Sequence, residues 1–351
     1  MELKQFIISL CSVMSVSGFE KRAAESVRAL TEGMFDSLET DAVGNCVAVK
    51  KCGKEVAPRL LLDAHLDEIG MLVTEILDGG FVRIAPLGGI DVSIMQASDV
   101  IIYGKREIKA VVASTPPHLK KDDKLPEFCE LVVDTGLSRE ALEDIVSVGT
   151  PVGFAPVYGE LMGGKLIGKS FDDKACAACA IAAVASTPKA ELSADVYVLL
   201  SSVEETNRLG GAAAGAFSVD PDYAMVIDVN LARVPDTKDL ETVEMGKGIS
   251  ISVSAATDRR LTQATAKLCR DKDIPHCIIA APSSTGTNAA TVNLVRCGVP
   301  VVDIGLPLAS MHTYNEVISM KDAETLTALV REFICSESIA SEFSRDKEGW
   351  I

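Results

Sequence analysis

From residue 69 to residue 163 the chain runs in short β-like stretches punctuated by glycine and proline (GMLVTEI, GFVRIAP, DVIIYG, KAVVAS, ELVVDTG), whereas both flanks alternate strand and helix signals. A β-only texture set inside an α/β one predicts an inserted module, and the only helical period within it lies near 138–146. The flanks supply strand-like runs at 45–50, 59–63, 195–203, 223–229, 249–255, 276–281 and 299–304, with helices from about 207, at 258–271 and from about 321. This alternation predicts an α/β fold, a three-layer α/β/α domain over residues 1–68 and 164–351 interrupted by a small, mostly β domain over 69–163. A length of 351 residues agrees with roughly two domains.

Two helices are expected before the first sheet. Leu3, Phe6, Ile7, Leu10, Val13 and Met14 recur at helical spacing, and Glu2 removes the basic start that a signal peptide needs. Ser17-Gly18-Phe19-Glu20 reads as a capping box for a second helix with Ala23, Val27 and Leu30 inward. Mean hydropathy is +0.24, yet no run approaches the roughly 18 apolar residues of a membrane span. With 34 Lys+Arg against 50 Asp+Glu the net charge is −16, which repels phosphate backbones and anionic lipid and argues against nucleic-acid and membrane partners. The ten cysteines are scattered through apolar segments without the density of a disulfide framework, so a reducing cytoplasm is expected.

Functional groups in open α/β sheets gather at the carboxyl ends of the strands. RLLLDA leads into His65 and Asp67, VYVLLSSV into Glu204 and Glu205, YAMVI into Asp228, and VPVVDIGLPL toward His312. Asp172 and Asp173 stand before an Ala/Cys-rich helix. Each piece has an ordinary reading: a hydrogen-bonded turn, a charge at a helix N-terminus, a solvated acidic loop. Together, two histidines and several carboxylates delivered to one edge describe a site for a hard-to-borderline metal ion. The other two histidines read as structural, His118 in a Pro-Pro-His turn and His276 at the start of a strand.

The ordered segments Asp63-Ala-His-Leu-Asp-Glu-Ile-Gly70, Gly168-Lys-Ser-Phe-Asp-Asp-Lys174, Val203-Glu-Glu205, Val226-Ile-Asp-Val229 and Met311-His-Thr-Tyr-Asn-Glu316 resemble the motifs of the tetrahedral aminopeptidases, the glutamyl and deblocking aminopeptidase family. Ser17–Glu20, Asp41–Asn45, Gly88–Asp91 and Pro116–His118 extend the resemblance over nearly the whole chain. It implies a peptidase acting on short peptides with two divalent metal ions per subunit, zinc or cobalt with manganese as a third choice. Asp172 would bridge the ions, His65 and Asp228 would complete one site, and Glu205 and His312 the other. Asp67 would orient His65, the Asp172–Asp173 bond would be cis, and Glu204 would be the general base. The resemblance further implies a homododecamer, with the insert making dimer contacts. Two departures bear on specificity: residues 306–311 lack the Arg-Tyr pair often found before the second metal histidine, and Asn288 stands where a Thr-Asp pair is common.

Four other readings compete. Gly163–Ser170 matches a Walker A pattern, but Leu166 and Ile167 occupy the loop and Asp172-Asp173 would repel phosphate. Paired carboxylates admit a glycosidase, although one Trp and five Tyr offer few sugar platforms. Cys176-x-x-Cys179 within an Ala-rich helix reads as small core packing. A non-catalytic metal- or peptide-binding paralogue is the alternative from another class; the retained Glu204 argues against it.

Overall fold

The computed structural model describes residues 2–345 except 115, 120–123, 207–208, 236, 238–241 and 283. A large sheet begins with β1 (Ser37–Thr40), β2 (Cys46–Lys50) and β3 (Arg59–His65). Six further strands, β4 (Gly70–Ile76), β5 (Phe81–Leu87), β6 (Asp99–Tyr103), β7 (Glu107–Val112), β8 (Val132–Asp134) and β9 (Pro151–Phe154), close into a barrel. The chain re-enters the large sheet with β10 (Gly159–Leu161), β11 (Lys165–Gly168), β12 (Asp195–Ser201), β13 (Tyr223–Leu231), β14 (Ile249–Val253), β15 (His276–Ala280), β16 (Val301–Ala309) and β17 (Glu316–Ser319). The helices are α1 (Leu3–Cys11), α2 (Lys21–Leu30), α3 (Arg139–Glu143), α4 (Phe171–Ser186), α5 (Gly210–Val219), α6 (Arg259–Asp271), α7 (Ala289–Val292), α8 (Met320–Ile334) and α9 (Glu337–Phe343).

The large sheet runs β1-β2-β12-β3-β13-β16-β17-β11-β10, with β14 and β15 branching from β16. At its centre β3 pairs in parallel with both β12 and β13, and β13 in parallel with β16. Side chains alternate between faces along a strand. Leu60, Leu62 and Ala64 therefore join a core with Val196, Val198, Met225 and Ile227 under α1, α2, α4 and α8. Leu61, Leu199, Ala224 and Val226 join a second core under α5 and α7. Both faces of the parallel centre are covered, which is why these strands read as unbroken apolar runs. The barrel holds a separate core around Met71, Ile84, Val100, Val133 and Val152.

Two local expectations change. The segment Ser17–Glu20 is not a capping box: α2 starts after Glu20, whose side chain makes no cap bond, because its carboxylate turns back to accept the Gly18 N–H at 2.7 Å. Residues 159–161, expected in the insert, pair instead with Lys165–Ile167 in the large sheet. The intervening Gly163 and Gly164 both have positive φ, as this tight turn requires, so the Walker-like stretch is a hairpin and not a phosphate loop. Helix α4 is buried on nearly every side by small residues; Cys176 and Cys179 are free thiols inside it, and burial pushes Cys179 up to about 12. Among the described residues no helix is long and apolar enough to cross a membrane.

Candidate active site

Strand β3 ends at His65, and the parallel neighbours β12 and β13 bring Glu204, Glu205 and Asp228 to the same edge. The start of α4 adds Asp172 and Asp173, joined by a cis peptide bond, and the turn between β16 and β17 adds His312. His65 Nε2 lies 3.0 Å from Asp172 Oδ1, while His312 Nε2 lies 3.5 Å from Asp172 Oδ2 and 3.2 Å from Glu205 Oε2. One carboxylate thus presents a different oxygen to each ring. The other nitrogen of each ring meets a main-chain carbonyl: His65 Nδ1 approaches Asp67 O at 3.0 Å, and His312 Nδ1 approaches Gly89 O at 3.1 Å. With the Nδ1 protons assigned to those carbonyls, both Nε2 atoms face the carboxylates. Glu204 Oε2 and Asp228 Oδ1 stand 3.9 and 4.0 Å from His65 Nε2.

Seven carboxylates and two imidazoles share this pocket, and most are buried. Burial and the neighbouring Asp173 raise Asp228 well above the usual carboxylate range, and burial and Asp172 do the same for Glu316. Burial, with Asp172 beside it, raises Glu205 to about 7, and burial also raises Glu204. Burial alone would raise Asp172 too, but the His312 and His65 rings beside it hold it well below that range. Hydrogen bonds to Asp172 and Glu205 push His312 up to about 11. Uncompensated buried charge is costly, so the field that favours protonated rings equally favours metal cations. Asp173 Oδ1 is buried with no hydrogen-bond partner, as an oxygen awaiting a cation would be. His65 with Asp172 and Glu205, and His65 with Asp173 and Asp228, form two groups whose ligand atoms lie within 4.8 Å of one another and could hold a metal ion. An N/O donor set without sulfur suits zinc, cobalt or manganese.

A family model of M42 glutamyl aminopeptidases matches residues 44–329. The chain belongs to the M42 aminopeptidase family. The lysyl aminopeptidase of Pyrococcus furiosus is 28% identical over 327 residues, which cover 91% of this M42 chain and 93% of that relative. An aminopeptidase of Desulfurococcus kamchatkensis, APDkam598, superposes with a TM-score of 0.90 at 27% identity and covers 99% of both chains. The TET1 peptidase of Pyrococcus horikoshii, described as able to assemble into a tetrahedron or a large octahedral shell, has a TM-score of 0.84 at 26% identity, covering 95% of this chain and 99% of that one.

Within this M42 fold several side chains take partners that motif spacing alone does not announce. The Asp67 carboxylate, expected to orient His65, stands 3.5 Å from its Nδ1 and its oxygens also hold main chain: Oδ1 accepts the Glu204 N–H at 3.0 Å and Oδ2 the Glu205 N–H at 3.1 Å. Glu316 accepts the Asp172 N–H at 3.2 Å and the His312 N–H at 3.1 Å, tying two elements of the site together. Beneath the edge, Lys169, Lys174 and Ser170 surround Glu68, and although burial opposes it the two lysines hold that carboxyl down to about 2. The lysine of the Walker-like stretch is therefore an internal counter-ion. Asn288 donates to Ser201 Oγ at 3.0 Å and leaves its Oδ1 without a partner, close under the site.

Proposed function

We propose that this M42 chain is a dinuclear metal-dependent aminopeptidase that removes N-terminal residues from short peptides. The observation that carries the reading is Asp172, which offers Oδ1 to the His65 side and Oδ2 to the His312 side. His65 and Asp228 would complete one metal site, Glu205 and His312 the other, with Asp172 common to both. Bound there, a pair of zinc, cobalt or manganese ions supplies an acidified water and polarisation of the scissile carbonyl. Glu204 takes the water proton and returns it to the leaving amine, a role worth roughly 10²–10⁴-fold. Its carboxyl is half-buried and raised by that partial burial, which suits a group that must both accept and give a proton near neutrality. Asp67 fixes where Glu204 and Glu205 leave the backbone.

We place the catalytic unit in the large sheet with its helices, and give the barrel the role of a dimerisation or lid module. Exposed Val111, Leu119, Leu125 and Val148 on the insert give such contacts apolar surface. The tetrahedral assembly of the Pyrococcus horikoshii relative supports a homododecamer in this chain as well. The ten unpaired cysteines suit the cytoplasm.

Chelation followed by metal add-back, with Glu204→Gln beside Glu205→Gln, tests the reading. Activity on free-amine peptides should vanish with metal and return with Zn²⁺ or Co²⁺. Glu204→Gln should keep both ions yet lose at least about 10² in kcat, while Glu205→Gln should lose metal first. Full turnover of metal-free protein would overturn the mechanism, whereas bound metal with no turnover on free-amine peptides would leave the binding paralogue as the better account.

A further inference from the structure

Besides Asp67, the backbone that carries Glu204 and Glu205 has anchors that the mechanism above does not use. Four successive amides end on buried side-chain acceptors: Ser202 donates to Asn45 Oδ1 at 3.0 Å, Val203 to Glu20 Oε1 at 3.1 Å, and Glu204 and Glu205 to Asp67 at 3.0 and 3.1 Å. Glu20 is 3% exposed, and Asn45 and Asp67 are fully buried. The three acceptors come from separate places in the fold, the turn before α2, the turn before β2 and the end of β3. Asn45 is itself steadied by Asp41 Oδ2 at 2.7 Å and by the Gly211 carbonyl at 2.8 Å. Gly44 lets these segments close: its φ is +98°, and a Cβ there would sit 3.3 Å from Glu20 Oε2.

Val203 occupies the left-handed region at φ 53°, a conformation that a β-branched residue adopts only under constraint. Such strain persists where its surroundings over-determine it, and it concentrates at functional sites. One contact made directly on this residue is the Glu20 carboxylate accepting the Val203 amide N–H. The residue that follows is Glu204. Rotating Val203 back to an extended φ would swing the Glu204 side chain away from His65.

We propose that Glu20 is a positioning residue for Glu204, holding Val203 in the left-handed conformation that points the base at the metal edge. This rests on Glu204 being the general base. It also gives the Ser-Gly-Phe-Glu turn a role at the site: the turn brings to the sheet edge an acceptor from a segment that touches none of the proposed metal ligands by side chain.

The test is a double-mutant comparison in the full-length protein, with kcat, KM and metal content measured on an aminoacyl chromogenic substrate. Glu20→Met removes the acceptor at nearly constant volume, and Glu20→Ala serves as a second variant. Each should lower kcat by about 10²-fold, the scale on which misplacing a catalytic group by about 1 Å acts, with KM and metal content unchanged. Glu20→Gln, which keeps an oxygen for the Val203 amide, should restore kcat to within a few-fold. In a Glu204→Gln background Glu20→Met should cost nothing further, because the group it positions is already disabled. Wild-type kcat in Glu20→Met, an equal loss in both backgrounds, or a Gln variant as poor as the Met variant would each overturn the proposal. A fully active Glu204→Gln would instead overturn the assignment of the base.

Discussion

Gly89 is exposed on the barrel, where an alanine substitution ordinarily changes little. Its φ lies outside the left-handed region, so alanine suits its backbone. Yet a Cβ at this position would sit 3.0 Å from His312 Nδ1 and 3.3 Å from Cε1. Carbon contacts settle near about 3.5 Å, so the ring must retreat by about 0.5 Å while its Nδ1 bond to the Gly89 carbonyl is stretched. Displacements of about 1 Å cost about 10²-fold in rate, which puts Gly89→Ala near a 10-fold loss. The loss should be seen in kcat at saturating metal, or as weaker binding of one ion in a metal titration, with an unchanged melting temperature. Gly89→Val should be worse, and Lys109→Ala, at an exposed position of β7 on the barrel, should be silent. Wild-type kcat and two tightly bound ions in Gly89→Ala would show that the barrel carbonyl takes no part in orienting His312.

Asp67→Asn separates two roles for one residue. Because His65 Nδ1 meets the Asp67 main-chain carbonyl, metal should stay bound, while an amide NH2 facing the Glu204 or Glu205 N–H displaces the loop and lowers kcat by about 10-fold or more; loss of metal before loss of rate would show that the carboxylate serves the imidazole. Asp303 is buried, accepts from Thr287 at 2.8 Å, and is raised from 3.8 to about 6 by burial. A folded pKa above the unfolded one stabilises below the unfolded value and is lost as pH rises, so wild type relative to Asp303→Asn should lose about 3 kcal/mol between about pH 4 and pH 6, read from urea midpoints; parallel curves would refute it. Light scattering should give a mass far above 37.1 kDa, and the assembly should trim short peptides but spare folded proteins with free N-termini; a fully active monomer would refute the enclosed chamber.

Much of this site is legible in sequence because apolar runs mark strands, and the polar residues that follow must then lie along one edge. His65, Glu204, Glu205 and Asp228 follow from that argument. Strand β1 does not, since Ser37–Thr40 is polar and at best half-buried at the end of the sheet. Nor do Glu20, Glu316 and Gly89. Each acts by accepting an N–H or presenting a carbonyl to a partner far along the chain, 183 residues away for Glu20 and 223 for Gly89. A hydrogen bond to main chain leaves no periodicity and no compositional mark. Ser17–Glu20 misleads for a related reason: its spacing fits a local cap, while the carboxylate accepts both the Gly18 N–H and an amide on another element.

Strand β3 lies in the middle of the large sheet, flanked by β12 and β13, both made more than 120 residues later. During synthesis, RLLLDAH therefore leaves the ribosome with no strand to pair on either side, and His312 emerges later still. A chain that stops short of His312 cannot assemble the site, so a nascent subunit is inert toward the peptides around it until that residue has been made. The same order leaves an apolar strand waiting in the open, exposed to association with other chains until β12 and β13 are made.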